Sequence, residues 1–287
     1  MIIWQSDLFR YPSSNQEKNQ WLLIVCELLT DKTHRDSEAT IIHEVQCAQS
    51  DVNAEWLTNQ LKQAMKKTVP DKIQVFRPQI TGLFAIAANN LNISLETTRR
   101  TTAIKEKLRQ YTDNNLSVIS SNNYLNLERP IPQNLPENIW GENWNMVSIT
   151  AGEIVDFATN RPIPFCDLPE SLSAINAKLD PTIKIPGIVI QGGKKSLMLA
   201  RWLAKEQPVA LNYIATEIGK SGGLVLETGL VDRWIIATFE SAAVAQAAKA
   251  YEQAKQESQG LHFLLLQPDD SGMTYTGFWL LKDEEFF

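Results

Sequence analysis

The order of hydrophobic patterns in the first 114 residues is the feature that most constrains the fold. Three runs of apolar or alternating residues, at 2–10, 21–30 and 40–48, predict three consecutive β-strands. Asn53 is a capping residue, and the apolar residues after it recur at helical spacing, which predicts a helix. These apolar residues are Trp56, Leu57, Leu61 and Met65. The following segments predict a strand, a helix, a strand and a helix in turn, at 71–79, 80–92, 93–98 and 103–112.

The resulting order, β-β-β-α-β-α-β-α, is that of ribonuclease H-like domains, so we predict a three-layer α/β domain over 1–115. Residues 116–180 are rich in Asn and Pro but contain Trp140 and Trp144, which predicts an ordered connector. Strand and helix patterns return from 181 to 287 and predict a mixed-sheet α+β domain.

Strands followed by a helix and a further strand occur in that order around both 21–78 and 208–267. This recurrence raises the hypothesis of two related domains. Convergence on common α/β layering is the alternative.

Composition limits the functional class. The chain has 287 residues, 44% of them hydrophobic, a net charge of −6 and three widely spaced cysteines. No apolar run reaches the roughly 20 residues of a membrane span, and no CxxC pair suggests a disulfide scaffold or a metal site. We predict a soluble, cytoplasmic protein that is not a general polyanion binder.

One segment departs from the acidic average. Residues 62–109 hold ten basic and three acidic residues. Such a concentration is a candidate nucleic-acid patch, with a solvated basic helix face as the alternative interpretation. The candidate RNA contacts in it are Lys66, Lys67, Arg77, Arg99 and Arg100.

The segment IPGIVIQGGKKSLMLARWL, 185–203, predicts a strand, a glycine turn and a helix. It is not a P-loop, because Gly193 occupies the position of the phosphate-binding lysine and strand-forming residues replace the loop. Gly192 and Gly193 at a helix start, with Lys194 and Lys195, would still suit one phosphate of a polymer. A plain glycine turn with solvated lysines is the alternative.

Catalytic and metal sites are not predicted. Asp7 and Glu55 stand roughly where a ribonuclease H-type enzyme has its first two carboxylates, but the fourth strand ends at Arg77, which opposes metal binding. His262, between apolar neighbours, predicts a hydrogen-bonded core histidine. Glu227 is predicted to pair with Arg233 rather than with Asp232. No cofactor motif is found.

Several long strings resemble one family: IWQSDLFRYP, VFRPQ, RRTTAI, IPGIVIQGGKKSLMLARWLA, LETGLVDRWIIATF, GLHFLLLQPD and GFWLL. Together they resemble the Tab/Atab family of cyanobacteria and chloroplasts. The resemblance implies a non-catalytic RNA-binding protein acting in translation or biogenesis of photosystem subunits. Its partner would be RNA, such as the mRNA leader of a photosystem subunit, with translation or assembly proteins as further partners.

The resemblance also implies the cyanobacterial cytoplasm as location, and the chloroplast stroma for plant relatives. It carries no base-reading residues over to this chain. Two alternatives remain: a metal-dependent nuclease of structured RNA, and a protein–protein assembly factor without RNA contact.

Overall fold

The computed structural model describes residues 1–11, 20–29, 40–114 and 127–283. It divides into two compact units, Met1–Glu128 and Arg129–Phe287. The first unit contains these elements in chain order: β1 Ile2–Tyr11, β2 Gln20–Leu29, β3 Thr40–Ala48, α1 Ala54–Ala64, β4 Lys72–Val75, α2 Pro78–Asn90, β5 Ser94–Thr97 and α3 Thr102–Asn114.

The five strands of the first unit form one sheet in the order β3-β2-β1-β4-β5. β1 is antiparallel to β2 and parallel to β4, and β4 is parallel to β5. Strands of this order, direction and connection form the predicted ribonuclease H-like sheet.

Both faces of that sheet are covered, which explains the unbroken apolar run of β2. Leu23 and Val25 lie in a core with α1 and α2. The intervening Leu22 and Ile24 lie in a second core with α3. Because successive strand residues face opposite ways, a strand buried on both faces needs apolar residues at every position. The predicted three layers are confirmed.

The second unit contains more elements than its sequence patterns suggest. They are β6 Gln133–Asn134, β7 Asn143–Thr150, α4 Ala151–Thr159, β8 Phe165–Asp167, α5 Glu170–Lys178, β9 Lys184–Gln191, α6 Ser196–Glu206, β10 Pro208–Glu217, β11 Ser221–Thr228, β12 Asp232–Glu240, α7 Ala242–Glu257, β13 Leu261–Gln267 and β14 Gly277–Lys282.

The second unit has two sheets, ordered β7-β9-β13-β14-β8 and β10-β11-β12-β6. On one face of the larger sheet, Val189 and Phe263 pack with residues of α4 and α5. On the other face, Ile188 and Leu264 pack with α6, α7 and the smaller sheet. The predicted mixed α+β architecture is confirmed.

Of the predicted connector 116–180, residues 116–126 lie outside the described residues, and residues 129–180 form more than a connector. Its strands β6, β7 and β8 pair with β12, β9 and β14. Ala151 and Ile154 of α4 and Leu172 of α5 lie in the core. From residue 129 on, this segment is therefore part of the second unit.

The hypothesis of two related domains is wrong. The segment 21–78 contributes its strands to a single sheet, whereas the strands of 208–267 are divided between two sheets. The same local order of elements thus supports two different pairings.

Candidate nucleic-acid interface

A buried ion pair occupies the junction between β4 and α2. Pro78 begins α2, and Arg77 immediately precedes it. The Arg77 guanidinium donates from Nε to Asp7 Oδ1 at 3.0 Å and from Nη2 to Asp7 Oδ2 at 2.7 Å. Asp7 is fully buried. A bidentate arginine is a strong partner for a carboxylate. The Arg77 guanidinium therefore binds the two Asp7 oxygens that a metal ion would need as ligands.

The two carboxylates considered for a nuclease do not meet. Leu8 packs on the face of the sheet that α1 covers, and Phe9 packs on the opposite face, which α3 covers. Because strand residues alternate between faces, Asp7 lies on the same face as Phe9. Glu55 is exposed in the first turn of α1, which covers the other face. Across the described ranges, no group of three or more His, Cys, Asp or Glu residues could hold a metal ion.

The arginines predicted to contact RNA gather beyond the carboxyl ends of two parallel strands. Val75 of β4 is opposite Thr97 of β5, so Arg77 and Arg99 each stand two residues past that pair. Lys105 donates from Nζ to the Arg99 carbonyl, and its Nζ lies 5.0 Å from the centre of the Phe76 ring. We call Arg77, Arg99 and Arg100 the arginine edge; Arg99 is buried and Arg100 half-buried.

Lys66 and Lys67 lie at the other end of the same sheet. Both are exposed in the turn after α1, and Lys67 Nζ donates to the carbonyl of Ile42. Ile42 is near the start of β3, which runs parallel to β1 because both are antiparallel to β2. The structure therefore does not bring these lysines to the arginine edge.

The glycine turn of the second unit differs from the predicted phosphate cradle. The amide of Gly192 donates to the Gln267 carbonyl and that of Gly193 to the Pro268 carbonyl, both at 2.9 Å. Gly193 has φ +52°, and a Cβ there would overlap the Glu142 carboxylate. The glycine amides are thus used within the fold, because the turn joins two neighbouring strand ends. Lys194 and Lys195 are exposed.

Two predictions about titratable residues are confirmed. Glu227 is buried; its Oε1 lies 3.7 Å from Arg233 Nε and 3.5 Å from Arg129 Nη1. His262 is fully buried; it accepts a hydrogen bond from the Leu211 amide at Nε2, and its Nδ1 bonds to the Gly260 carbonyl. Burial and the nearby Lys255 charge lower the pKa of His262 to about 3, so it is a neutral core residue near pH 7.

Sequence reasoning missed a set of carboxamides in the second unit. Asn143, Gln191 and Gln267 are register partners on three neighbouring strands. The alternation of Asn143 and Asn145 with Trp144 and Met146 is a period-2 pattern that predicts β7 and its exposed amide face. Nothing local links that pattern to Gln191 or Gln267.

No helix in the described parts of the chain is long and apolar enough to cross a membrane. Among solved structures, the chain is similar to the HTLV-2 integrase catalytic core domain in complex with magnesium, with 16% identity and a TM-score of 0.24 over 41% of this chain and 75% of that one. A likeness of this size carries no functional argument.

Comparison with protein families is more informative. Residues 3–111 match the model of the N-terminal domain of RNA-binding protein Tab2/Atab2, and residues 122–282 match the model of its C-terminal domain. The chain is 28% identical to the chloroplastic TAB2 homolog of Arabidopsis thaliana, covering 98% of this chain and 74% of the relative. It is 25% identical to the Zea mays homolog, covering 98% and 71%. The chain therefore belongs to the Tab2/Atab2 family of RNA-binding proteins.

Proposed function

We propose that this chain binds RNA without cleaving it, and that it acts in translation or biogenesis of photosystem subunits. The observation that supports RNA binding without cleavage is the bidentate ion pair between Arg77 and Asp7. At a strand end where a ribonuclease H-type nuclease would need an acid, the chain has a guanidinium bound to the buried carboxylate. A cation at this place disfavours Mg²⁺.

The proposed phosphate contacts form three groups. They are the arginine edge, the lysine pair Lys66 and Lys67, and the lysine pair Lys194 and Lys195. Gly192 and Gly193 contribute by shaping the turn, since their amides are already bonded. The lysines of both pairs are exposed. They can therefore displace the counterions that surround the phosphates of an RNA chain.

The test is RNA binding measured over a range of salt concentrations. We expect the chain to bind a 20-nucleotide single-stranded RNA with an affinity that falls as salt rises. Each lost phosphate contact should reduce the slope of log affinity against log salt by about 0.7. The double variants Lys66→Ala/Lys67→Ala and Lys194→Ala/Lys195→Ala test the two lysine pairs separately.

Lys220→Ala is the matched control, because Lys220 is an exposed lysine already paired with Glu217 in a hairpin turn. It should leave the slope unchanged. A lysine pair whose removal changes neither affinity nor slope is not an RNA contact. Complete absence of RNA binding by the unaltered chain would overturn the proposal and favour an assembly factor that contacts only proteins.

The cellular part of the proposal needs a separate experiment. Crosslinking the protein to total RNA of a cyanobacterial cell, followed by sequencing, should enrich leaders of photosystem-subunit mRNAs in the cytoplasm. The chloroplastic names of the relatives support this expectation. Enrichment of unrelated RNAs would contradict it, and Mg²⁺-dependent cleavage of a structured RNA would restore the nuclease alternative.

A further inference from the structure

Three carboxamide side chains form a row across the end of the larger sheet of the second unit. Gln191 and Gln267 end the parallel strands β9 and β13 directly opposite each other, and Asn143 begins β7 opposite Gln191. Val189 and Leu265, two residues before the glutamines, face α4 and α5. Because strand residues alternate, the three carboxamides share that face. We call them the amide row.

The amide row contains an acceptor that has no donor among the described residues. Gln191 and Gln267 are each only 7% exposed. Within the described residues, no donor reaches the buried Gln191 Oε1. A buried polar atom without a partner is destabilising, and such atoms are usually completed by an ordered water, an ion or a ligand. An N–H donor of a ligand would satisfy this one.

Aromatic rings and a guanidinium lie at the same end and face of the sheet. The rings of Phe157 and Tyr275 are 5.2 Å apart, and the Arg161 Cζ lies 4.2 Å from the centre of the Phe157 ring. Phe157 also packs 5.7 Å from Phe278, the register partner of Leu265. Leu265 precedes Gln267 by two positions on the same face. We call Phe157, Tyr275 and Arg161 the stacking platform.

The charged residues around the amide row indicate where a base and where a phosphate could bind. The row itself is neutral, and Glu142 lies against Gly193 while Asp269 and Asp270 follow Pro268. These acids disfavour a phosphate on the row. Lys194 and Lys195, in the turn that follows Gln191, are exposed cations. A nucleotide with its base on the row and its phosphate toward the lysines would match this distribution.

We propose that the amide row and the stacking platform bind an unpaired base of single-stranded RNA, with the carboxamides on its Watson–Crick edge and the platform against its ring. This inference rests on the proposed RNA-binding function and deepens it. Single-stranded RNA is read by hydrogen bonds to free base edges and by stacking on aromatic rings or arginine planes. Carboxamides carry both the donor and the acceptor that such edges require.

The experiment compares a 20-nucleotide single-stranded RNA with an abasic ribose-phosphate oligomer of the same length and charge. The unaltered chain should bind the RNA more tightly. Gln191→Met keeps the volume and removes the unsatisfied acceptor, so it should fold at least as stably and lower the RNA-to-abasic affinity ratio at least about fivefold. The salt slope should not change, because no charge is lost.

Two further variants make the test decisive. Arg161→Lys keeps the charge but removes the planar guanidinium, so it should also lower the ratio at an unchanged salt slope. Gln46→Met alters an exposed glutamine of β3 in the first unit and should change nothing. If Gln191→Met does not fold, Arg161→Lys decides.

The outcomes distinguish this inference from the proposed function. If the unaltered chain binds RNA but does not prefer it over the abasic oligomer, the inference is overturned and RNA binding stands. The same follows if folded Gln191→Met and Arg161→Lys keep the original ratio. If the unaltered chain binds neither oligomer, the proposed function itself fails.

Discussion

The two units each pass from the end of a buried parallel strand into a helix, and they do so by different means. In the first unit, β4 leads through Phe76 and Arg77 into α2, and the basic residue is bound to the buried Asp7. In the second, β9 leads through Gly192 and Gly193 into α6, and backbone amides bond to the neighbouring strand end. There the basic residues, Lys194 and Lys195, remain at the surface.

The difference shows that basic residues at the starts of helices can have different roles, one structural and one open to a ligand. Arg77 directs two nitrogens to Asp7, so much of its role is structural. The side chains of the two lysines at the second junction are exposed, and within the described residues only the Lys195 backbone amide bonds in the turn, to the Gly192 carbonyl. The side-chain charges are therefore available to a ligand. The comparison predicts a large stability effect at one junction and a small one at the other.

The largest effect is expected from Arg77→Ala. It leaves Asp7 buried without its bidentate partner, which should lower the free energy of unfolding of the first unit by about 3–5 kcal/mol. Urea unfolding, with hydrogen exchange of β1 and β4 amides to identify the unit, measures it. Replacing both partners, Asp7→Leu/Arg77→Met, should restore most of the loss.

Lys72→Ala is the matched control for that experiment. Its partner Glu96 is 41% exposed, and Lys72 itself is 31% exposed, so this variant should cost less than about 1 kcal/mol. Equal costs for Arg77→Ala and Lys72→Ala would show that the Asp7 pair is not the structural element we describe.

The glycine junction should respond to added volume. A Cβ at Gly192 would lie 2.6 Å from the Ser196 Cα, which can move only with α6. Gly192→Ala should therefore destabilise the second unit by about 1–3 kcal/mol. Gly82→Ala in α2 is the contrast, since a Cβ there meets nothing within 4 Å. It should stabilise the first unit by up to about 1 kcal/mol. Similar melting shifts of the same sign would refute the packing argument.

Acid should act on the second unit through His262. Its pKa falls from 6.5 to about 3 in the folded state because burial, and then the Lys255 charge, disfavour the imidazolium. Between pH 6.5 and 3 the unfolded state binds the additional proton, so stability decreases as pH falls. The slope should be at most about 1.4 kcal/mol per pH unit.

Hydrogen exchange of β13 amides, corrected for intrinsic rates, measures this slope. His262→Gln removes the titrating group and should flatten the dependence in that window, whatever its effect on stability near pH 7. An unchanged slope in the variant would assign the acid sensitivity to other groups.

The smallest effect is expected from Lys194→Ala/Lys195→Ala on stability. Surface substitutions away from packing and caps change the unfolding free energy by about 0.5 kcal/mol or less. Thermal unfolding of the double variant should coincide with that of the unaltered chain. A clear loss would mean that the lysines hold the turn, and that their influence on RNA binding is indirect.

Local features of the fold were predictable to a useful degree. Each main element of the first unit follows from period-2 or period-3.6 patterns with their caps and prolines, because such patterns report which faces are buried. The core position of His262 and the Glu227–Arg233 pair also followed from neighbouring residues. The strands and helices of 133–178 were missed, since a short strand such as Phe165–Asp167 exists only by pairing with β14.

The candidate sites were predictable only in part. Residue type and clustering pointed to Arg77, Arg99 and Arg100, and the parallel register of β4 and β5 does bring their positions together. Lys66 and Lys67, close in sequence to Arg77, lie at the other sheet end because α1 runs back along the sheet before β4 begins. Proximity along the chain is a poor guide to proximity in an α/β unit.

By itself, the sequence determined the order of strands and helices in the first unit, the absence of a P-loop and the cationic character of the β4 end, because each depends on residues within a few positions of one another. Only the tertiary structure decided that Asp7 pairs with Arg77, 70 positions away in the sequence. It also decided that the glycine amides donate to the carbonyls of Gln267 and Pro268, and that three carboxamides from separate strands form one row. Those facts depend on register between distant segments, and the register is set by how whole faces pack.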